Sequence, residues 1–290
     1  MVIEEVKNMN KYPINKEFFP FSHFTPPINE KFLAMAAPNM KTPKFIFKDK
    51  ELDVVRYEVE SYDGEKIEVF LMAPKAFGKK LPCLVYFHGG GFVLTAAGYH
   101  YKNAMRYAKE VGCKVLFVNY HLAPKHPHPV FFEDCYAAFC WAYDNAETLG
   151  IDNMRMGIGG DSAGSTLAVG VCMMARDRKH PVKFLFQMLP YPFLDARNNG
   201  ACKTYTDTPM WNSSLSNKSA PITKADKSRV DYVYYSPVET ENFTELPPAY
   251  IETAEFDCLH DDGILYSENW KIKKYDSDLP FAQGKNPLAI

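Results

Sequence analysis

Hydrophobic and polar residues alternate in the first clearly patterned part of the chain. Val55, Tyr57 and Val59 are separated by charged residues, which is typical of a strand with one buried face. A Tyr-Asp-Gly turn signal follows at 62–64, and the sequence IEVFL at 67–71 predicts a second strand. The two strands are therefore predicted to form an antiparallel hairpin.

Beyond the hairpin, short apolar runs alternate with segments of helical spacing. The runs predict buried strands at 83–87, 114–119, 154–159, 183–188 and 248–253. The spacing predicts helices over 101–111, 132–149, 162–176 and near 263–271. Alternating strands and helices form βαβ units, so we expect an α/β fold with a mostly parallel sheet and helices on both faces. Ligands then bind beyond the carboxyl ends of the strands.

The composition is that of a folded domain and excludes several classes of function. The 290 residues carry a net charge of −2, which offers no electrostatic basis for binding nucleic acid or an anionic membrane. The first twenty residues lack the apolar core of a signal peptide, and no run of about 18 apolar residues predicts a membrane span. Seven cysteines without a CxxC pair indicate free thiols in a reducing compartment, so a cytoplasmic location is expected.

A sharp turn around a serine is predicted at the end of one strand. The sequence Gly160-Asp161-Ser162-Ala163-Gly164 matches the G-x-S-x-G pattern between a predicted strand and a predicted helix, where this pattern marks a nucleophile. The two glycines let backbone segments approach closely, and the helix N-terminus favours developing negative charge. A serine that only caps a helix is the alternative, but it does not explain two glycines at this spacing.

A glycine-rich loop follows an earlier strand. In His88-Gly89-Gly90-Gly91, three consecutive glycines cost backbone entropy, which a fold tolerates where N–H groups must face a ligand. Such donors stabilise the oxyanion of acyl transfer, and this loop type accompanies the serine pattern. A phosphate-binding loop and a plain loop are the alternatives, but the former needs a Gly-Lys-Ser/Thr ending or GxGxxG spacing. We interpret His88 as a structural hydrogen-bonding residue rather than a base.

These two patterns, in this order, resemble the hormone-sensitive-lipase-like esterases of bacteria. Other segments agree with that family, namely YHLAP at 120–124, the helical segment 133–152, YP at 191–192, LD at 194–195 and the loop 247–263. The resemblance covers about residues 50–265. It implies an α/β-hydrolase fold with a small cap, and a serine carboxylic ester hydrolase that acts on small to medium acyl esters through an acyl-enzyme and needs no cofactor.

The resemblance also implies roles for individual residues. Ser162 is the nucleophile and Asp257 the acid of a catalytic triad. The oxyanion hole is formed by backbone groups of Gly89, Gly90, Gly91 and Ala163, with Gly89 shaping the turn. The loop and the serine turn are supported by His88, Gly160, Asp161 and Gly164. Residues 1–45 and an insertion at about 198–230 form the cap, and residues 46–290 contain the hydrolase domain.

The third member of the triad has no counterpart at the expected place. The family order is Ser, Asp, His, with the histidine about 25–30 residues after the acid. Only His260 follows Asp257, and a base three residues away cannot easily meet both the acid and the serine. Residues 270–290 also lack a clear strand and helix, so we expect the last strand and helix to be missing or altered after about Ser267.

Three functions therefore stay open from the sequence. The first is an ester hydrolase with weak or no turnover, the second a small-molecule binding protein on the same scaffold, and the third an inactive product. Prolines interleave His126 and His128, which favours a rigid loop over a metal site formed by that pair. The oligomeric state is not predicted.

Overall fold

A seven-stranded sheet forms the centre of the computed structural model. The structure describes residues 44–274 except 77 and 79, and near the N-terminus residues 12, 16–22, 24–29 and 33. The strands are β1 (Leu52–Glu60), β2 (Lys66–Pro74), β3 (Leu81–Phe87), β4 (Lys114–Asn119), β5 (Ile151–Gly160), β6 (Gln187–Pro190) and β7 (Ala249–Glu252). Their order in the sheet is β1-β2-β4-β3-β5-β6-β7. The β1–β2 and β2–β4 pairs are antiparallel and the others parallel, which confirms the predicted hairpin and mostly parallel sheet.

Helices connect most of the parallel strands. They are α1 (Gly98–Val111), α2 (Val130–Asp144), α3 (Ala146–Leu149), α4 (Ala163–Asp177), α5 (Ala201–Thr204), α6 (Ser213–Thr223), α7 (Tyr232–Tyr235) and α8 (His260–Lys274). Short 3₁₀ turns lie at Lys16–Phe21, Lys44–Phe47 and Pro237–Glu239. None of the helices in the described ranges is long and apolar enough to cross a membrane.

Two predicted elements differ from the structure by more than small shifts of their ends. The single helix predicted over 132–149 is interrupted at Asn145, whose side-chain amide donates to the carbonyl of Trp141 and so competes with the helical pattern. The strand predicted at 183–188 begins only at Gln187. Before it, the Leu185 N–H donates to the Met156 carbonyl outside the regular ladder, so this stretch runs along β5 without being a strand.

The two faces of the sheet contact different helices. In β3, Val85 and Phe87 belong to the large core cluster that includes α2 and α4, whereas Leu84 and Tyr86 face a second cluster built with α1. The alternation along one strand therefore supplies both cores. Most of the predicted cap segment 1–45, and the tail beyond residue 274, lie outside the described residues. The predicted insertion at 198–230 contains α5 and α6, and its assignment as a cap stays a prediction.

Helix α4 packs closely on α2 at a glycine. A Cβ at Gly170 would overlap the ring of Phe132 and lie 3.4 Å from Cβ of Tyr234. We expect Gly170→Ala to lower the free energy of unfolding by about 1–2 kcal/mol, because overpacking costs about 1–3 kcal/mol and exceeds the helix-propensity gain. Gly98→Ala is the matched control, since its Cβ would lie 3.6 Å from Ile46. Urea unfolding measures both, and an equally stable Gly170→Ala variant contradicts the packing argument.

Candidate active site

The predicted serine turn is present at the carboxyl end of β5. Ser162 has φ 54° and ψ −120°, a conformation that side-chain-bearing residues rarely adopt. Such backbone strain costs on the order of 1–3 kcal/mol and persists only where the surroundings hold it. The Ser162 N–H donates to the carbonyl of Pro190 at 3.1 Å, and the Gly164 N–H donates to that of Asp161 at 2.8 Å. Helix α4 then begins at Ala163, so Ser162 stands at its N-terminus.

The two glycines of this turn pack against the end of β3. Phe87 and Gly160 are paired across the parallel ladder between β3 and β5. A Cβ at Gly160 or at Gly164 would overlap the carbonyl oxygen of Phe87. The absence of side chains at both positions therefore lets the serine turn approach the loop that follows β3.

That loop is the predicted glycine-rich segment. Gly90 and Gly91 have φ 116° and 62°, and the Leu94 N–H donates to the Gly90 carbonyl at 2.9 Å, which closes the turn. A Cβ at Gly89 would lie 3.2 Å from Cβ of Ser162, so the loop and the serine turn are in contact. Within the described ranges, the N–H groups of Gly90 and Gly91 donate to no protein acceptor.

Asp161 joins three elements through its carboxylate. The Tyr86 hydroxyl of β3 donates to Oδ1 at 2.7 Å, and Nε2 of His100 in α1 lies 3.1 Å from Oδ2. Burial by itself raises the pKa of Asp161, but the hydrogen bonds from His100 and Tyr86 outweigh it and hold the pKa below its usual value. Sequence reasoning missed Tyr86 and His100, because they look like ordinary positions of a buried strand and a helix.

His88 is buried beneath the glycine-rich loop. Its Nδ1 lies 2.7 Å from the Gly89 carbonyl, and its ring stacks on Tyr120 at a centroid distance of 4.4 Å. Burial lowers the pKa of His88 to about 3, so its imidazole is neutral near pH 7. The Tyr120 hydroxyl donates to the His88 carbonyl at 2.7 Å. These contacts fit the interpretation of His88 as a structural hydrogen-bonding residue.

A narrow cleft lies over Ser162. Its walls come from the glycine-rich loop, from the start of α4 and from the segment predicted to form a cap. The main apolar side chains that line it are Phe92, Phe193, Trp211, Tyr235 and Leu259. A Cβ at Gly91 would lie 2.6 Å from the Trp211 ring, so this glycine is also needed for the cleft wall to close on the loop.

Asp257 follows β7, as predicted, and is half-buried. Its Oδ1 accepts the Leu259 N–H at 2.9 Å, and burial raises the pKa of this carboxyl above its usual value. His260 begins α8, and its Nδ1 lies 2.8 Å from Asp261 Oδ1 rather than beside Asp257. In the part of the chain that the structure describes, no histidine forms a hydrogen bond with Ser162.

Comparison with known proteins decides the family. The model of the alpha/beta hydrolase fold family matches residues 84–286. The chain belongs to this family. Esterase LipI of Mycobacterium tuberculosis is 34% identical over 204 residues, which are 64% of this chain and 59% of LipI. Carboxylesterase NlhH of the same organism is 32% identical over 245 residues, which are 79% of this chain and 72% of NlhH.

Solved structures of this family have the same fold. The bacterial heroin esterase matches with a TM-score of 0.75 and 30% identity, over 85% of this chain and 81% of that protein. A hyperthermophilic esterase from the archaeon Pyrobaculum calidifontis matches with a TM-score of 0.72 and 31% identity, over 84% and 76%. The predicted resemblance to the hormone-sensitive-lipase-like esterases is confirmed. On the basis of its family, the chain is assigned as a hydrolase.

The carboxylate of Asp161 gives a prediction about stability and pH. Tyr86→Phe removes a hydrogen bond to a buried charge, so we expect the free energy of unfolding to fall by about 1.5–3 kcal/mol near pH 7. The pKa of folded Asp161 lies below the unfolded value of 3.8, so its stabilisation is complete above about pH 3.8 and is lost as the pH falls through the folded pKa. The cost of Tyr86→Phe should therefore shrink in strong acid.

Tyr101→Phe is the control, because the Tyr101 hydroxyl donates to the uncharged amide of Asn119 at 3.0 Å. This change should cost about 1 kcal/mol with little dependence on pH. Urea unfolding of both variants at neutral and acidic pH is the measurement. A Tyr86→Phe cost that stays constant into strong acid contradicts the proposed link to the Asp161 charge.

Proposed function

We propose that this chain is a serine carboxylic ester hydrolase that acts on small to medium acyl esters through an acyl-enzyme on Ser162. The strained backbone of Ser162 carries this proposal, because such strain is kept where it presents a reacting group. The neighbouring glycine-rich loop and the carboxylesterase relatives support it. No metal or organic cofactor is needed for this chemistry.

The first chemical step is attack of Ser162 Oγ on the ester carbonyl. The oxyanion that forms accepts hydrogen bonds from the N–H groups of Gly90, Gly91 and Ala163, none of which is used by regular secondary structure. Losing one such donor typically costs about 10²–10³ in rate. The acyl chain lies against Trp211 and Phe193 in the cleft, and the alcohol leaves through its mouth.

The Ser162 Oγ proton passes to solvent or to an added base and protonates the leaving alcohol, and water then hydrolyses the acyl-enzyme to release the acid and restore Ser162. In our proposal Asp257 is the acid that orients an imidazole, yet no described histidine is bonded to Ser162. Loss of the histidine from a comparable triad lowers kcat by on the order of 10⁶ and leaves about 10³–10⁴ over the uncatalysed reaction. We therefore propose that this chain hydrolyses esters slowly, with binding and oxyanion stabilisation intact.

The second candidate is a small-molecule binding protein. It is favoured by one observation, namely that an apolar cleft lies over Ser162, to which no histidine of the described residues is hydrogen-bonded. In that case an uncharged ligand with a carbonyl group occupies the cleft and is not cleaved.

Chemical rescue tests the first candidate against the second. We expect imidazole added to the full chain to raise its hydrolysis of p-nitrophenyl butyrate, because the free base can take the proton from Ser162 Oγ. A general base is worth about 10²–10⁴-fold, so partial replacement should give at least about a tenfold increase. Ser162→Ala corrects for the direct reaction of imidazole with the ester. Ser214→Ala, at an exposed position of α6, should behave like the parent chain.

Binding is measured separately with a non-hydrolysable ketone analogue of the ester. Quenching of Trp211 fluorescence reports its entry into the cleft, and Trp211→Phe identifies the signal. Binding without imidazole-dependent hydrolysis supports the binding protein. Neither binding nor rescue in a folded chain contradicts both candidates.

A further inference from the structure

A cluster of possible metal ligands lies away from the candidate active site. It consists of Glu65, in the turn between β1 and β2, and of His121 and His126, in the loop that follows β4. Glu65 Oε2 is 3.8 Å from His121 Nε2 and 3.7 Å from His126 Nε2. One ligand atom from each of the three residues lies within 4.8 Å of the others. We call these three residues the histidine–glutamate cluster.

One imidazole nitrogen of the cluster has no hydrogen-bond partner among the described residues. His126 is nine-tenths buried, and its Nε2 is inaccessible to solvent and forms no hydrogen bond within the described residues. Its ring stacks on that of His121 at a centroid distance of 4.2 Å, so the two imidazoles lie face to face. A buried imidazole nitrogen that has no hydrogen-bond partner is able to act as a metal ligand.

A buried carboxylate stands behind one of the imidazoles. Asp134 Oδ2 lies 2.9 Å from His121 Nδ1, on the side of the ring away from Glu65, and Asp134 is fully buried. The carboxylate is itself fixed by the Ser61 hydroxyl and by the His121 backbone N–H. Metal-binding histidines commonly place their second nitrogen against a carboxylate in this way, which orients the ring and strengthens its donor atom.

We propose that the histidine–glutamate cluster binds one divalent transition-metal ion of the Zn²⁺ type. Two imidazoles and a carboxylate suit Zn²⁺, Co²⁺ or Ni²⁺, whereas Mg²⁺ and Ca²⁺ prefer oxygen ligands throughout. Glu65 is half-exposed, so its side chain can adjust to the ion and a solvent molecule can complete the coordination. His128, although close to His126 in sequence, is not part of the proposed metal site. Its ring packs among Phe131, Phe132 and Tyr235 instead.

The bound ion would link the turn between β1 and β2 to the loop that follows β4. That second loop in turn supports the glycine-rich loop. Tyr120, beside His121, donates to the His88 carbonyl, and the Ala123 N–H donates to the Phe92 carbonyl at 3.0 Å. A metal that binds only the folded state raises the apparent unfolding temperature with its concentration. The site therefore stabilises this part of the fold, and its effect can be measured without enzymatic activity.

The test is calorimetric titration of ZnCl₂ into the full chain, purified without a histidine tag, near pH 8. We expect one Zn²⁺ per chain and a rise in the unfolding temperature, with no response to MgCl₂. Glu65→Gln and His126→Gln should each weaken Zn²⁺ binding by about 100-fold or more, since even residues behind metal ligands contribute about 10–100-fold. Glu60→Gln and His180→Gln are the matched controls and should bind Zn²⁺ like the parent chain.

Two further measurements separate loss of a metal ligand from unfolding, and binding at the cluster from binding at the cysteines. Unfolding of each variant without metal verifies that it folds, so a lost affinity reports a lost ligand. CoCl₂ replaces ZnCl₂ in an absorption experiment, where a thiolate charge-transfer band would place the ion on the cysteines. The proposal is overturned if Zn²⁺ does not bind, if both cluster variants keep the parent affinity, or if the thiolate band is present.

Discussion

The close approach of two backbone turns is the constraint on which the candidate site depends. Strands β3 and β5 are neighbours, so the loops leaving their carboxyl ends start side by side. They can touch only because Gly160 and Gly164 present no side chain to the carbonyl of Phe87. This contact brings the strained Ser162 beside the glycine-rich loop. Ser162 and the N–H groups of Gly90 and Gly91 thus come from different parts of the chain but lie at the same end of the sheet.

A single buried charge then fixes that contact. Asp161 lies within the serine turn, and its carboxylate accepts hydrogen bonds from Tyr86 on β3 and His100 on α1. Gly89 packs against the same carboxylate, so no side chain separates the two loops there. A buried carboxylate without hydrogen-bond donors is energetically unfavourable. Movement of the turn away from these donors would therefore raise the free energy of the folded state. The strain at Ser162 is thus held by electrostatics as well as packing.

Local patterns made the serine turn and the glycine-rich loop predictable, because each is encoded in consecutive residues at a strand end. The apolar run at 114–119 likewise coincides with β4. Contacts between distant segments left no such signal. Tyr86 and His100 look like core residues in sequence, and His126 lies beside Glu65 and His121 rather than beside its near neighbour His128. The interruption at Asn145 depended on a side-chain hydrogen bond that competes with helical propensity.

The carboxylates of Asp161 and Asp257 differ in how their charge is stabilised. Burial raises the pKa of any carboxyl, and donors decide whether it stays ionised. Asp161 has a tyrosine and a histidine, and its pKa is lowered; Asp257 has the Leu259 N–H and the Cys258 thiol, and its pKa is raised. A triad acid is kept ionised by the N–H of its imidazole, which it orients in return. No imidazole of the described residues donates a hydrogen bond to the Asp257 carboxylate, and its raised pKa fits those surroundings. An imidazole N–H donated to the Asp257 carboxylate would lower that pKa, and our proposal of Asp257 as the acid depends on such a donor.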